Sequence, residues 1–587
     1  MRYRVPGVFL APESEQIAPI AISKQCLAGL IGIAEKGPLD TPVRVSSFQQ
    51  YQKIFGGFTE YGYLPYAVYG FFNAGGTECV VVRVAHTSDD ENDQYAISEA
   101  YYNVLNTDGE EAFRITAKSP GSWGNKILVK LWYKTAGASH VKSDVSAGDD
   151  SLLVEDSGIF SVGDSVEIRS PDRCEYKQIV RIDGNRVYFF NKIEKNYDTS
   201  PGDVICNLCG VNIVLQCGGT IEEYYLCSAR IDDEMYFVNR INESSQLVHI
   251  VQLKPGSLPV ELNNRALIEG RNGVLNITPK DFIGRFKGLD DKKGLGIFES
   301  IDEISIMAAP DVLIFEEVVH KDKNKALDDI FTVQKAMVEQ CEILKNRFAI
   351  LDMPEIRDGL KSIKWAGRFD TDSAAMYFPR IEIINPADSS GLSSVFVPPS
   401  GHISGLFAET DRLEGKHRAP ANKYIKGAVG VSYHVDNDEY EMLYPHGINN
   451  LRYVPGRGIK VWGARTLSND SEWKYINVRR AFSAISRAIE QGTGWAVFES
   501  NDRNLRKRII RHITAFLINL FREGYLAGTV PEEAFYIRCD DELNPGENID
   551  LGIITVEIGI AIARPAEFLV VMLKTDLDNQ AVVSAEV

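Results

Sequence analysis

Residues 64–85 read LPYAVYGFFNAGGTECVVVRVA, and this stretch decides the class of fold that the sequence predicts. Its first ten residues predict a short helix over 64–73, and residues 48–55 predict another short helix before it. A Gly-Gly pair then breaks the chain before residues 79–85, a β-branched run typical of a buried strand. Residues 24–34 predict an earlier buried strand, so strand, helix and strand follow one another and indicate an α/β layer.

The same order returns in the second half of the chain. Buried strands are predicted over 304–309 and 348–351, with a helix over 327–344 between them. Residues 115–261, between the two halves, are instead β-rich, with short alternating strands separated by Gly-Asp and Asp-Gly turns. The sequence therefore predicts an α/β (α+β) fold, with a discontinuous core domain, inserted β-rich domains and extended N- and C-terminal arms.

The predicted domain boundaries follow these changes of pattern. Two long helices, over 481–491 and 503–523, belong to the second part of the core. The predicted segments are an N-terminal linking arm at 1–20, the first part of the core at 21–105, a β-rich insertion at 106–285 that includes a small β-module at about 143–205, the second part of the core at 286–550, and a C-terminal strand and linking arm at 551–587.

Composition excludes several classes of function. The 587 residues contain 63 Lys and Arg against 81 Asp and Glu, a formal net charge of −18. This balance argues against nucleic acid or an anionic membrane surface as the main partner, because phosphate binding needs basic patches. No apolar run approaches the roughly 18 residues needed to span a bilayer, and residues 1–15 lack the apolar centre of a secretion signal. We expect synthesis and assembly in the cytoplasm, without direct membrane insertion.

Four cysteines form the one candidate metal site. Cys206 and Cys209 form a C-x-x-C pair, and Cys217 and Cys227 follow. Four thiolates can complete the tetrahedron that zinc prefers. The last two cysteines belong to predicted strands, however, and would then point into a β-core as buried structural thiols. Both interpretations stay open at this point.

Searches for catalytic motifs find nothing. The sequence has no phosphate-binding G-x-x-x-x-G-K-[ST], no dinucleotide-binding G-x-G-x-x-G, no H-E-x-x-H and no G-x-S-x-G nucleophile elbow. The nine histidines show no metal-ligand spacing. We therefore expect a protein that is not an enzyme and needs no cofactor.

The helix over 503–523, RNLRKRIIRHITAFLINLFRE, is basic on one side. At 100° per residue its apolar residues share one face: Ile509, Ile510, Ile513, Phe516, Leu517 and Leu520. The opposite side carries Arg503, Lys507, Arg508 and Arg511, and Arg506 lies near the apolar face. Such a stripe is either the solvent face of a surface helix or an electrostatic dock for an acidic partner.

Taken together, the segments resemble the tail sheath proteins of contractile phages and of phage-tail-like contractile injection systems. The resemblance covers most of residues 1–125 and 370–575, in the same order. The motifs that carry it are VPGV at 5–8, GIAEKGP at 32–38, FFNAGG at 71–76, SPGSWGN at 119–125, FVPPSGH at 396–402, VWGARTL at 461–467, YINVRR at 475–480, VFE at 497–499 and RPAEF at 564–568.

The resemblance implies a structural subunit of a contractile machine. Such subunits stack as hexameric rings into a helical sleeve around an inner tube, and contraction of the sleeve drives the tube through a target envelope. The implied partners are other copies of the chain, an inner tube protein, and baseplate and terminator or cap proteins. The particle would be a phage tail, or a released or membrane-anchored injection particle.

Two sets of residues receive roles from this resemblance. The helix at 503–523 lies where the family places its contact with the inner tube, which makes Arg503, Lys507, Arg508 and Arg511 the candidate tube-contact residues. The terminal arms would add strands to sheets of neighbouring subunits through main-chain hydrogen bonds. The candidate arm residues are Val5, Val8, Phe9, Phe568, Val570 and Met572; the alternative is ordinary edge strands folded onto the same chain.

Two other functions remain as alternatives. One is a non-contractile shell or baseplate component of the same particle, which would assemble without a change of length. The other is an unrecognised hydrolase that uses an Asp/Glu pair. A hydrolase should show a concave pocket with carboxylates of perturbed pKa.

Overall fold

A computed structural model of the chain describes residues 18–90, 92–106, 108–199, 204–255, 257–284, 292–567, 570–573 and 583–586. The first part of the core holds three strands and two helices. Both helices have the bounds that the sequence predicts, and the Ser47 hydroxyl accepts a hydrogen bond from the Gln50 N–H at the start of the first. The elements are β1 (Leu27–Gly32), β2 (Val43–Val45), α1 (Phe48–Phe55), α2 (Leu64–Asn73) and β3 (Cys79–Arg83).

A β-rich segment follows and forms two sheets. The strands Tyr101–Leu105, Glu111–Ala117 and Val248–Gln252 make a three-stranded sheet, and the other eight strands make an eight-stranded sheet. The elements are β4 (Tyr101–Leu105), β5 (Glu111–Ala117), β6 (Leu128–His140), β7 (Ser151–Leu153), β8 (Ser165–Arg169), β9 (Cys174–Asp183), β10 (Arg186–Phe189), β11 (Ile205–Cys217), β12 (Thr220–Cys227), α3 (Phe237–Ser244), β13 (Val248–Gln252), β14 (Leu262–Ala266) and α4 (Pro279–Ile283).

The β-rich segment begins and ends at other residues than the predicted boundaries at 106 and 285. Strand β4 pairs antiparallel with β5, with Val104 opposite Phe113, so it belongs to the β-rich segment and not to the core. At the other end, Ile277 and Phe282 are buried in the core cluster. Residues between 141 and 206 share a separate small core, which includes Val166 and Val187.

The second part of the core continues the α/β pattern. Its longest helix begins at Lys323, four residues before the predicted start, and the Asp322 side chain caps it by accepting from the Asn324 N–H. The elements are β15 (Ile304–Ala308), α5 (Lys323–Leu344), β16 (Phe348–Asp352), α6 (Gly359–Ala366), β17 (Ala374–Phe378), β18 (Ile381–Ile384), β19 (Ser394–Val397), α7 (Ser400–Leu413), β20 (Ala428–Val431), α8 (Asn437–Leu443), β21 (Ile448–Val454) and β22 (Gly458–Trp462).

One eight-stranded sheet unites the two parts of the core. Its strand order is β2-β3-β1-β15-β16-β17-β21-β22. Strand β1 pairs in parallel with both neighbours, so that Ala28 lies opposite Cys79 on one side and Ile306 on the other. Successive residues of a strand point to opposite faces: Val80 belongs to the apolar cluster on one face of the sheet, and Val81 to the cluster on the other. The sheet is therefore buried on both faces.

The C-terminal unit has its own apolar core. Ile20, from the segment that leads into β1, is 7% exposed and belongs to this core. The elements are α9 (Ile476–Gly492), α10 (Arg503–Arg522), α11 (Pro531–Ala534), β23 (Phe535–Arg538), α12 (Gly546–Asp550), β24 (Glu557–Ile560), β25 (Val570–Leu573) and β26 (Val583–Glu586). Within the part of the chain that the structure describes, no helix combines the length and apolarity needed to cross a membrane.

The structure reaches only part of the predicted arms. Val5, Val8, Phe9 and Phe568 lie outside the described residues. Val570 and Met572 lie in β25, which pairs antiparallel with β26 of the same chain. A two-stranded hairpin is marginally stable alone, and the main-chain N–H and C=O groups at its outer edges can form hydrogen bonds with another strand. The role of these residues as linking arms stays a prediction.

Candidate partner-binding face of the C-terminal unit

Helix α10 is amphipathic as the sequence predicts, and its apolar side packs in the C-terminal core. The Asp502 side chain caps the helix by accepting a hydrogen bond of 2.7 Å from the Leu505 N–H. Arg506 is 7% exposed, in agreement with its predicted place near the apolar face. The buried residues of the helix are Leu505, Arg506, Ile509, Ile513, Phe516, Leu517 and Leu520.

We call the four exposed cations Arg503, Lys507, Arg508 and Arg511 the basic face. Two of them, Arg503 and Arg508, form ion pairs with acids of the same chain, and Arg503 shares its acid with Arg506. Arg503 Nη2 lies 3.1 Å from one carboxylate oxygen of Asp541, and Arg506 Nη1 lies 2.9 Å from the other. These two arginines hold the pKa of Asp541 below its ordinary value.

Arg508 is neutralised by a second acid. Its Nη2 lies 2.7 Å from Glu499 Oε2, and its guanidinium lies over the Trp495 ring at 5.1 Å from the centroid. The ring in turn donates from Nε1 to His512 Nδ1 over 3.3 Å. Stacking and ion pairing together hold Arg508 against its own chain.

Lys507 and Arg511 differ from the other two cations. Among the described residues, neither has an ion pair within 4.0 Å. They flank a shallow surface depression whose other lining residues are Ile510, Thr514, Ala515 and Ile518. Ile510 is only partly buried and lines this depression, whereas the helical period predicts it on the apolar face. The part of the basic face that remains free is therefore one Lys and one Arg beside an apolar patch.

The pairing of two acids with cations of the basic face could not be predicted from the sequence. Glu499 lies nine residues from Arg508, and Asp541 lies 38 residues from Arg503. The only signal in the sequence is that both positions are acidic. Folding of the C-terminal unit decides which cation each acid meets.

The four candidate zinc ligands do not form one site. Cys206 is buried in the small core of residues 141–206, whereas Cys227 is buried in the larger core of the β-rich segment, against which Cys217 is partly buried. Burial raises the pKa of Cys206, and it raises the pKa of Cys209 to about 12, as expected for buried structural thiols. Among the described residues, no group of three or more His, Cys, Asp or Glu could hold a metal ion. Buried structural thiols are the interpretation that fits this geometry.

Two acids of the core have the perturbed pKa expected for a hydrolase, but solvent does not reach them. Burial raises the pKa of both Asp311 and Asp352 to about 7. Asp311 accepts from the backbone N–H groups of Ile33 at 2.6 Å and Leu64 at 3.2 Å, and Asp352 accepts from the Ser400 N–H at 2.9 Å. With exposures of 0% and 2%, both carboxyls are buried, and each accepts from the first residues of a helix or from a loop.

Comparison with known proteins gives the class of this chain. Residues 318–467 match the family model of the phage tail sheath protein central domain, and residues 468–574 match that of the phage tail sheath C-terminal domain. The second match contains the whole basic face. The class of protein that these adjoining domains define is a phage tail sheath protein.

Individual relatives agree with this class. A major tail sheath protein of a Pseudomonas aeruginosa prophage, described as putative, is 30% identical over 223 residues, which are 37% of this chain and 55% of the relative. The tail sheath protein of Vibrio phage KVP40 is 30% identical over 190 residues, 31% of this chain and 27% of the relative. The chain thus spans about half or less of the length of these relatives. Residues 318–574 carry the two domains of the phage tail sheath family.

Solved structures show the same fold over nearly the whole chain. The helical sheath of the anti-feeding prophage in its contracted state matches with a TM-score of 0.52 and 18% identity, over 98% of this chain and 100% of that one. The contracted sheath complex of PVC, an extracellular contractile injection system, matches with a TM-score of 0.51 and 16% identity, over 98% and 99%. The resemblance at these identities concerns the fold.

Proposed function

We propose that this chain is the sheath subunit of a contractile injection machine. Copies polymerise as stacked hexameric rings around an inner tube, in a particle assembled in the cytoplasm with baseplate and terminator or cap proteins. The sleeve contracts and drives the tube through a target envelope. The chain needs no fuel site for this work, because the driving force is the free-energy difference between two packings of rigid subunits.

The single observation that carries the proposal is the free part of the basic face. Lys507 and Arg511 are exposed cations without an ion pair in the described residues, on a chain of net charge −18. They lie in the segment that matches the sheath C-terminal domain. Exposed ion pairs contribute only about 0.2–1 kcal/mol each, which suits a sleeve that binds an acidic tube surface during assembly and releases it on contraction.

Strand addition by the arms has separate support. In the described residues, β23 and β24 pair only with each other, so each has an outer edge with free main-chain groups. An extended segment from a neighbouring subunit could extend this sheet on either side. The hexameric arrangement is supported by a fold match with a TM-score of 0.50 and 17% identity, to a chain from the six-fold symmetrised baseplate of the anti-feeding prophage.

The test is tube-templated assembly. The chain is co-expressed with its inner tube protein and examined by negative-stain microscopy. Lys507→Glu/Arg511→Glu should abolish extended particles while the isolated subunit still folds. Arg503→Gln is the control, because Arg503 is already paired with Asp541 and Arg506 still pairs with that acid in the variant. Normal extended particles from the double variant would overturn the tube contact.

The two alternatives give different results in the same system. A non-contractile shell or baseplate component forms particles whose length does not change on triggering, whereas a sheath shortens. A hydrolase requires an accessible acidic pair, and the two acids with a pKa of about 7, Asp311 and Asp352, are buried.

A further inference from the structure

A cleft of about 540 Å³ lies between the core and the C-terminal unit. One wall is formed by the amino-terminal ends of β1, β15 and β16, and the opposite wall by one side of α9. The volume falls within the range of about 300–1,000 Å³ that is usual for small-molecule sites. This cleft is separate from the basic face.

The cleft is lined by five cations and two acids, and both acids are already paired. Glu303 forms an ion pair with Arg44, and Glu78 lies 3.9 Å from the same arginine. Arg480 occupies both oxygens of Asp411, which lies behind the cleft wall. The remaining cations are therefore without a carboxylate partner in the described residues.

These remaining cations are Arg347, Lys416 and Arg487. Arg347 donates to the backbone carbonyls of Phe298 at 2.8 Å and Ile301 at 3.1 Å, and Arg487 donates to the carbonyl of Asp302. Lys416 is 9% exposed, lines the cleft, and its ammonium has neither an ion pair nor a hydrogen bond among the described residues. A cation this buried and without a partner is costly unless a ligand compensates it.

Arg487 is close enough to Arg347 and to Lys416 to lower the pKa of both. Burial lowers the pKa of Arg347, and Arg487 lowers it further, although Cys341 and Asp302 act in the opposite direction. Burial also lowers the pKa of Lys416, with contributions from Arg480 and Arg487, although Asp411 opposes them. Such mutual repulsion in one cleft is relieved by an anion that bridges the cations.

We propose that this cleft binds a phosphate group, carried by a small molecule, between Arg347, Lys416 and Arg487. A phosphate dianion offers several acceptor oxygens, which suit guanidinium and ammonium donors. The Ser483 hydroxyl lines the same wall as Arg487 and supplies a further donor. The bound anion joins the start of β16, the segment after α7 and helix α9, and so ties the core to the C-terminal unit. The proposal does not depend on the proposed sheath function.

The test uses the full-length monomer and inorganic phosphate as the probe. Binding is measured by isothermal titration calorimetry and by the phosphate dependence of the Tm, at constant ionic strength. Arg487→Gln and Lys416→Gln should each weaken phosphate binding by about tenfold or more. Lys507→Gln is the matched control, since it removes an equally unpaired cation outside the cleft.

The outcomes separate clearly. Saturable binding that weakens in Arg487→Gln and stays unchanged in Lys507→Gln supports the site; Arg487 is only partly buried, so this variant is expected to fold even if Lys416→Gln does not. The absence of saturable binding at millimolar phosphate overturns the proposal. An equal loss of affinity in Lys507→Gln also overturns it, because the binding would then reflect net charge alone.

Discussion

Arg480 and Asp411 form a buried ion pair with two hydrogen bonds, from Nη1 to Oδ1 at 2.8 Å and from Nη2 to Oδ2 at 2.6 Å. Their side chains are 4% and 0% exposed. Arg480 belongs to α9 of the C-terminal unit and Asp411 to α7 of the core. Helix α9 of the C-terminal unit is thus joined to helix α7 of the core through a charged contact that water does not reach.

Removal of one partner of this pair should destabilise the subunit strongly. Arg480→Gln leaves the Asp411 carboxylate buried without a counter-ion, and we expect a loss of about 3–5 kcal/mol in the free energy of unfolding. Urea unfolding followed by circular dichroism measures it. Arg503→Gln is the control, because the exposed Arg503–Asp541 pair contributes little. A change in Arg480→Gln as small as that of the control would contradict the role given to the pair.

Asp352 should make stability depend on pH between 5 and 7. Its pKa is about 7 in the folded chain and ordinarily 3.8, so the folded state binds the proton more tightly. The stabilisation that results from this difference in pKa is fully present below the ordinary pKa. As the pH rises towards 7, the free energy of unfolding falls by at most about 1.4 kcal/mol per pH unit. His402 has the opposite effect on the pH dependence of stability, because burial lowers its pKa to about 4.

A difference measurement isolates the carboxyl from the histidine. Asp352→Asn keeps an oxygen to accept from the Ser400 N–H but does not titrate, and both proteins contain His402. We expect the stability of the natural chain relative to Asp352→Asn to decrease from pH 5 to pH 7 in urea titrations. A difference that is constant over this range would refute the pKa assignment.

The position of a C-terminal truncation should determine the stability of the subunit. Glu567 accepts from Arg465 Nε at 2.9 Å and from the Tyr444 hydroxyl at 2.6 Å, and its side chain is 11% exposed. A chain ending at residue 567 should fold as a stable monomer that forms no sheath. A chain ending at residue 565 leaves Arg465 unpaired and should lose about 3 kcal/mol more.

Two measurements check this pair of truncations. Urea unfolding compares their stabilities, and negative-stain microscopy shows their assemblies. Sheaths of natural length from the chain ending at 567 would refute the linking role of the residues beyond it. An N-terminal truncation should likewise spare Ile20, which is buried in the C-terminal core.

Helices α2 and α7 pack too closely to accept a larger residue at Gly70. A Cβ placed there would lie 2.3 Å from the Cε1 and Nδ1 atoms of the His402 ring, which is 1% exposed. We expect Gly70→Ala to lower the stability by about 1–3 kcal/mol through overpacking. Gly546→Ala, in helix α12 with nothing within 4 Å of the new Cβ, should be neutral or slightly stabilising. Equal urea midpoints for both variants would disprove the tight packing.

Elements whose signals are local could be predicted from the amino-acid sequence. Helices α1 and α2 have their predicted bounds, because a capping serine, an N-terminal proline and a Gly-Gly break act within a few residues. The β-branched run of β3 predicted a buried strand, and the apolar period of α10 predicted which side of that helix is buried. The family also follows from sequence alone, since its motifs are short and ordered along the chain.

Contacts between residues that are distant in the chain depend on the three-dimensional fold. It placed β4 in the β-rich segment, separated the four cysteines between two cores and shielded Asp311 and Asp352 from solvent. It also paired Arg503 and Arg508 with acids and left Lys507 and Arg511 free, which reduced a basic stripe of four residues to a face of two. The physical reason is that charge pairing and burial depend on distances through space, whereas local sequence patterns specify only the direction in which each side chain leaves its own helix or strand.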